Sequence, residues 1–193
     1  MLVSPTELPG VLLIEPVVFR DARGFFLETY QRDRYFDAGI EVDFVQDNHS
    51  GSYQGTLRGL HAQRDPAQGK LVRVIEGEIF DVAVDIRRGA PTFGRSVAVR
   101  LSAKNHHQLY LPPGFAHGFY VLTPVAQIVY KCTAPYRPEG EIVIRWNDPV
   151  LGIRWPIDPA VPLLLSTRDE AAPSLHDCWD QLPVLVREAE EEP

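Results

Sequence analysis

The stretch Leu57-Arg58-Gly59-Leu60-His61, running on through Ala62-Gln63 to Ala67-Gln68-Gly69-Lys70, sets a guanidinium, an imidazole and an ammonium within thirteen positions. Apolar segments flank it. Burying a cation costs free energy unless an anion meets it. The stretch therefore predicts the wall of a site for a negatively charged ligand, with a histidine placed to move a proton.

The elements that must position these groups read as strands. Lys70 shares a period-two face with Val72 and Val74, so its ammonium points the same way as two valines. Phe80, Val82, Val84 and Ile86 alternate with Asp81, Ala83 and Asp85, a strand with one apolar face. Short apolar runs at 11–14, 17–19, 25–30, 96–101, 108–111, 117–122, 126–132 and 142–146 extend the series, with turn signals between them. Segment 32–38 predicts a short helix ended by Gly39. Segment 42–45 reads as a strand. The run Gln46-Asp47-Asn48-His49-Ser50 is too polar for a core strand and predicts a solvated loop. Towards the end, 158–162 is punctuated by proline, 169–179 predicts a helix, and 188–193 is an acidic tail expected to fray. The sum is an all-β sandwich or barrel with a few short peripheral helices. A double-sheet jelly roll is one of the few such architectures with a ligand cavity.

Length and composition agree with one domain over 1–193. The 17 prolines and 14 glycines suit many turns and few long helices. No apolar run reaches membrane-spanning length, and the N-terminus lacks a signal-peptide pattern, so a cytoplasmic protein is expected with no membrane partner. A net charge of −7 argues against a nucleic-acid surface. Cys132 and Cys178 match no metal or redox spacing and read as free thiols.

Individual residues leave more than one reading open. His61 and His117 on separate strands suit structural groups, catalysts or the metal site of a cupin. A cupin metal, however, usually has a second histidine two residues after the first, where this chain has Gln63. No metal is therefore expected, and His106-His107 reads as an exposed loop pair. Tyr130 shares a face with Ile128 and Cys132 as a core aromatic would, yet a buried phenol with a pKa near ~10 is also a fair general acid. Asp169 alone reads as a helix-start carboxylate.

Several long motifs stand in one order: Phe44-Val45-Gln46-Asp47-Asn48-His49-Ser50, Leu57 to His61, Ala67 to Val74, Phe80 to Arg87, Pro112-Pro113-Gly114-Phe115-Ala116-His117-Gly118-Phe119, Tyr130-Lys131-Cys132 and Trp146-Asn147-Asp148-Pro149. Together they resemble the dTDP-4-dehydrorhamnose 3,5-epimerase family, over about residues 10–173. The resemblance implies a cofactor-free homodimeric epimerase acting on a dTDP-linked 4-keto-6-deoxyhexose. It assigns His61 as base, Asp169 as its orienting carboxylate, Tyr130 as acid and Lys70 as stabiliser of an enolate. It also implies nucleotide-sugar contacts by Arg23, Glu28, Gln46, Asp47, Asn48, Arg58, His117, Glu141 and Arg168, with Tyr136 stacked on thymine.

Three features depart from the family pattern. The segment between His61 and Lys70 is one residue short, and Ala62 replaces an aromatic. That predicts either a shifted Lys70 or extra room beside the sugar. Arg168 stands where lysine is usual. Strict alternation puts Arg58 and His61 on opposite faces, which a bulge at Gly59 or a site completed by a second subunit would reconcile. Epimerases of carbon 3 or carbon 5 alone share the same motifs. A cupin that only binds a sugar nucleotide, or one that uses a metal, is the alternative from another class.

Overall fold

The computed structural model describes residues 1–185, and the predicted acidic tail at 188–193 lies outside them. The chain opens with β1 (Leu2–Pro5), β2 (Leu12–Glu15), the hairpin β3 (Val18–Asp21) and β4 (Gly24–Leu27), and helix α1 (Arg32–Asp37). Then follow β5 (Gln46–Tyr53), β6 (Leu57–Gln63), β7 (Lys70–Glu76), β8 (Glu78–Asp85) and β9 (Ser96–Ser102). β10 (Gln108–Leu111), β11 (Phe115–Val121), β12 (Val125–Cys132), β13 (Glu141–Val143) and helix α2 (Thr167–Glu170) complete the series.

Two antiparallel sheets result, ordered β1-β2-β10-β7-β12-β5 and β13-β6-β11-β8-β9. Val72, Val74, Leu109, Leu111, Ala126 and Ile128 of the six-stranded sheet pack on Ile79, Ala83, Leu101, Phe115, Phe119 and Val121 of the five-stranded one. This is the double-sheet jelly roll that the strand spacing predicts. No helix of the described residues is long and apolar enough to cross a membrane.

The five-stranded sheet is covered on its other face too. Leu60, Ala62, Val82, Val84, Ile86, Ile142 and Ile144 pack under Leu151, Leu175, Cys178 and Leu182 of the returning chain. The apolar face of β8 therefore turns outward to this cover, and its polar face lies between the sheets, with Asp81 and Asp85 both 0% exposed. Asp85 is satisfied there by Arg87 and Thr92. The six-stranded sheet carries a smaller cover, where Tyr35 of α1 and Ile40 meet Ile14, Leu71 and Tyr110. Helix α1 starts where the Gln31 side chain accepts the Arg34 N–H.

Two local predictions are corrected. Segment 42–45 is not a strand, and the polar run after it is one: β5 pairs along its length with β12. Its alternate side chains Gln46, Asn48, Ser50 and Ser52 are the less exposed set, so their polarity serves the interior of the roll rather than a solvated loop. The helix predicted over 169–179 stops at Glu170 because Pro173 has no N–H to continue it; a 3₁₀ turn follows at Trp179–Gln181.

Strand β6 carries the irregularity that matters most. Its partner β11 sets His117 opposite His61 and Phe119 opposite Arg58, so the single residue Gly118 faces both Gly59 and Leu60. This bulge makes Arg58 and His61 behave as next-but-one neighbours, and both fall on the inner face. Gly59 has φ +127, and a Cβ there would lie 2.5 Å from the Gly118 Cα. Only glycine fits.

Candidate active site

A cavity of about 330 Å³ opens between the sheets at the His61 end of the roll. β6 contributes His61 and Gln63, β7 Lys70, β12 Tyr130 and Cys132, β5 Gln46 and Asn48, and the segment around β13 contributes Tyr136 and Glu141.

His61 is fixed from behind. Its Nε2 lies 2.6 Å from Asp169 Oδ1, and the Asp169 side chain is only 3% exposed. Burial alone would raise the pKa of this carboxyl; the hydrogen bond and charge of His61, with donors from Ser166 and Gly59, bring it below the usual carboxylate range. An ionised acceptor places the ring proton on Nε2 and leaves Nδ1 with its lone pair. The geometry is that of a histidine base held by a carboxylate.

Tyr130 stands on the opposite wall, on the six-stranded sheet. Burial raises its pKa, and the charge of Arg58 offsets part of that, so the phenol holds its proton at neutral pH. Lys70 lies beside it, directly across from Cys132 in the β7–β12 pairing, with Nζ 3.5 Å from the His61 carbonyl. Among the described residues it makes no ion pair. Burial lowers its pKa, only partly countered by Cys132, Glu141 and Asp81. It shares a strand face with Val72 and Val74, as period-two alternation predicts.

The rim is a connected polar set. The Tyr136 hydroxyl donates to Glu141 Oε2 at 2.8 Å, and Arg168 pairs with the same oxygen. The Tyr136 N–H donates to Gln46 Oε1 at 2.9 Å, and Gln46 in turn donates to Asn48. Arg58 donates to Ser52 at 3.1 Å.

His117 forms a second histidine–carboxylate pair, 2.7 Å from the fully buried Asp81. Sequence reading missed Asp81 as a partner; the signal was an aspartate on the polar face of a strand covered on both sides. It also missed Gln63 and Gln68. Gln63 donates to the carbonyls of Pro66 and Pro135 and accepts from the Arg137 N–H, while Gln68 donates to the Ala134 carbonyl. These amides pin the segment that carries Tyr136.

Not every expected residue reaches this cavity. Asp47 faces the other side of the six-stranded sheet, paired with Lys131 at 2.9 Å beside a separate hollow of about 300 Å³. Arg23 and Glu28 belong to the β3–β4 hairpin region and pair with Asp21 and Arg34. Ala62, where an aromatic was expected, lines the edge of the cavity. It also packs with Ile142 and Leu60 in the outer cluster, one residue out of phase with His61. Among the described residues no three His, Cys, Asp or Glu side chains are grouped to hold a metal ion.

Fold and cavity together define a cupin-type jelly roll equipped for proton transfer, with a carboxylate-held histidine and a phenol on facing walls. The model of the dTDP-4-dehydrorhamnose 3,5-epimerase family matches residues 5–177, and the chain belongs to that family. A 3,5-epimerase of Neisseria gonorrhoeae is 56% identical over 86% of this chain, which spans about half (50%) of that relative's length. The Salmonella typhimurium enzyme is 52% identical over 91% of this chain and 96% of its own. A Legionella pneumophila dTDP-6-deoxy-D-glucose-3,5-epimerase, solved with dTDP-4-keto-L-rhamnose, superposes with a TM-score of 0.93 at 48% identity, covering 96% of this chain and 98% of that one.

Proposed function

We propose that this chain epimerises carbons 3 and 5 of dTDP-4-keto-6-deoxy-D-glucose to give dTDP-4-keto-L-rhamnose. The observation that carries the reading is the placing of His61 and Tyr130 on opposite walls of one cavity. Inverting a carbon next to a ketone needs a base on one face of the ring and a proton donor on the other. His61 Nδ1 takes the proton of the carbon beside the ketone, and the C–H electrons pass to the ketone oxygen as an enolate. The half-buried Lys70 ammonium stabilises that oxygen. Tyr130 then gives its proton to the opposite face of the carbon, the enolate collapses to the ketone, and the centre is inverted. Solvent resets both groups. The sequence is redox-neutral.

Gln46, Asn48, Tyr136, Glu141 and Arg168 lie together at the rim, where a pyrimidine and its sugar would pass. Arg58 stands exposed on the inner face of β6, and His117 is buried on the same face of β11. A guanidinium suits the diphosphate because it donates in pairs. Asp47 enters this proposal through its backbone between Gln46 and Asn48 rather than through its carboxylate. For Arg23 and Glu28 to touch substrate a second copy of the chain is required. The apolar hairpin beside them supports a homodimer, since Phe19, Phe25 and Phe26 are 62%, 56% and 69% exposed. Cys132 and Cys178 are buried free thiols, which suits a reducing cytoplasm.

The test is proton NMR of dTDP-4-keto-6-deoxyglucose with chelator-treated protein in deuterated water, following carbons 3 and 5 separately. Deuterium entering both is the expected result. Entry at one carbon alone means a single-centre epimerase, and none at either overturns the proposal. Sedimentation velocity tests the dimer, and a monomer at micromolar concentration refutes it.

A further inference from the structure

The geometry points to Ser166 as a positioning residue for the base: its hydroxyl fixes the second carboxylate oxygen of Asp169 so that the first stays aimed at His61. This rests on the proposed role of His61.

Ser166 is the N-cap of α2, and Asp169 stands three residues on. The Asp169 N–H donates to Ser166 Oγ at 3.1 Å, and the Ser166 hydroxyl donates back to Asp169 Oδ2 at 2.7 Å. In an ordinary capping box the acidic side chain at this position turns back to the N-cap backbone. Here the carboxylate turns instead to β6, where Oδ1 meets His61 Nε2 at 2.6 Å and the Gly59 N–H at 3.4 Å. Among the described residues only Gly59, His61 and Ser166 bond this carboxylate with their own donors.

A carboxylate has one free rotation about its Cβ–Cγ bond. Fixing Oδ2 fixes Oδ1, and with it the tautomer and tilt of the imidazole. Ser166 is exposed on its outer side while Asp169 is buried, so the hydroxyl also stands between bulk water and Oδ2. The Ser166 bond is one of the influences that hold the Asp169 carboxyl in its charged form. Without it, the carboxylate presents more of its charge to His61, so the pair keeps its titrating proton, the one on His61 Nδ1, to higher pH. The other titratable or charged groups around the pair are Arg58 of β6, Lys70 of β7, His117 with Asp81, Tyr130 of β12, Glu141 with Arg168, and Arg145 and Glu170, which share a hollow with Asp169. They are unchanged when Ser166 is replaced, so a shift reads the Asp169 contact.

The experiment compares wild type, Ser166→Ala, Ser166→Gly and Ser166→Thr. The His61 ring is titrated by nitrogen NMR without substrate, and kcat and KM are measured across pH. Ala and Gly are expected to raise the apparent pKa of the pair by about half to one unit and to lower kcat about tenfold at nearly constant KM. Thr keeps the hydroxyl and is expected to restore both. Glycine is tolerated at an N-cap, so a purely structural role for Ser166 would separate it from alanine, whereas loss of the hydroxyl makes the two alike. An unchanged or downward titration in both Ala and Gly overturns the inference. A raised titration in a protein that exchanges no deuterium, even as wild type, upholds the contact while refuting the proposed reaction.

Discussion

His61 and Asp169 lie 2.6 Å apart, Nε2 to Oδ1, although 108 positions separate them in the chain. The carboxylate is sealed from solvent and the imidazole faces the cavity. His61→Ala is expected to abolish deuterium exchange at both carbons, with substrate affinity by calorimetry nearly unchanged. Asp169→Asn leaves the shape but not the acceptor charge, and kcat is expected to fall by about 10²–10³. An Asn variant with wild-type kcat would remove the carboxylate from the mechanism.

Tyr130→Phe deletes one hydroxyl and little volume. Proton removal by His61 does not need that hydroxyl, so hydrogen exchange on the His61 face should survive. Net epimerisation is expected to drop by about 10²–10⁴. The check is the ratio of exchange to inverted product in one NMR time course. Equal losses in both would move the acid elsewhere.

Lys70 is a half-buried cation without an ion-pair partner among the described residues, and its partial removal from water lowers its pKa. Its charge is therefore a cost to folding and an asset to catalysis. Lys70→Met should lower kcat by about 10²–10³. It should also raise the melting temperature by about 2–4 °C. Calorimetry alongside kinetics tests both, and a destabilised variant would contradict the first half of the argument.

Acid should unfold the protein in part through Asp169 and Asp85. Both keep their carboxyls charged below the usual range despite burial: His61, Ser166 and Gly59 stabilise the first, Arg87 and Thr92 the second. As pH falls, the unfolded chain binds these protons first, at about 3.9. The native state loses their contribution as pH drops through its lower values. Stability in urea is thus expected to be flat above about pH 5 and to fall below about pH 4. Asp85→Asn should make that fall shallower, and an identical slope would show that Asp85 is not among the groups responsible.

Gly59→Ala would put a Cβ 2.5 Å from the Gly118 Cα and 2.9 Å from the His117 carbonyl, at φ +127. These neighbours are backbone and cannot step aside. A loss of at least about 3 kcal/mol of stability is expected. If the variant folds, Arg58 and His61 should be out of phase and activity lost. Chemical denaturation and the exchange assay report the two effects separately. Wild-type stability would refute the bulge.

Much was legible in the chain itself because it depends on neighbours in sequence. Period-two alternation marked most strands, turn residues marked their ends, and the place of Lys70 beside Val72 and Val74 foretold a cation turned inward. Gln46–Ser50 was misread because polarity looks the same whether a side chain faces water or a polar cavity; pairing with β12 decided it. Asp81 was likewise invisible as a partner for His117 until the outer cover showed both faces of β8 to be buried. Strict alternation set Arg58 against His61, and the extra residue that reconciles them exists only in the register with β11. The union of His61, Asp169 and Ser166 spans more than half the chain. Residue types can nominate such groups, but only closure of the two sheets brings them within hydrogen-bonding distance.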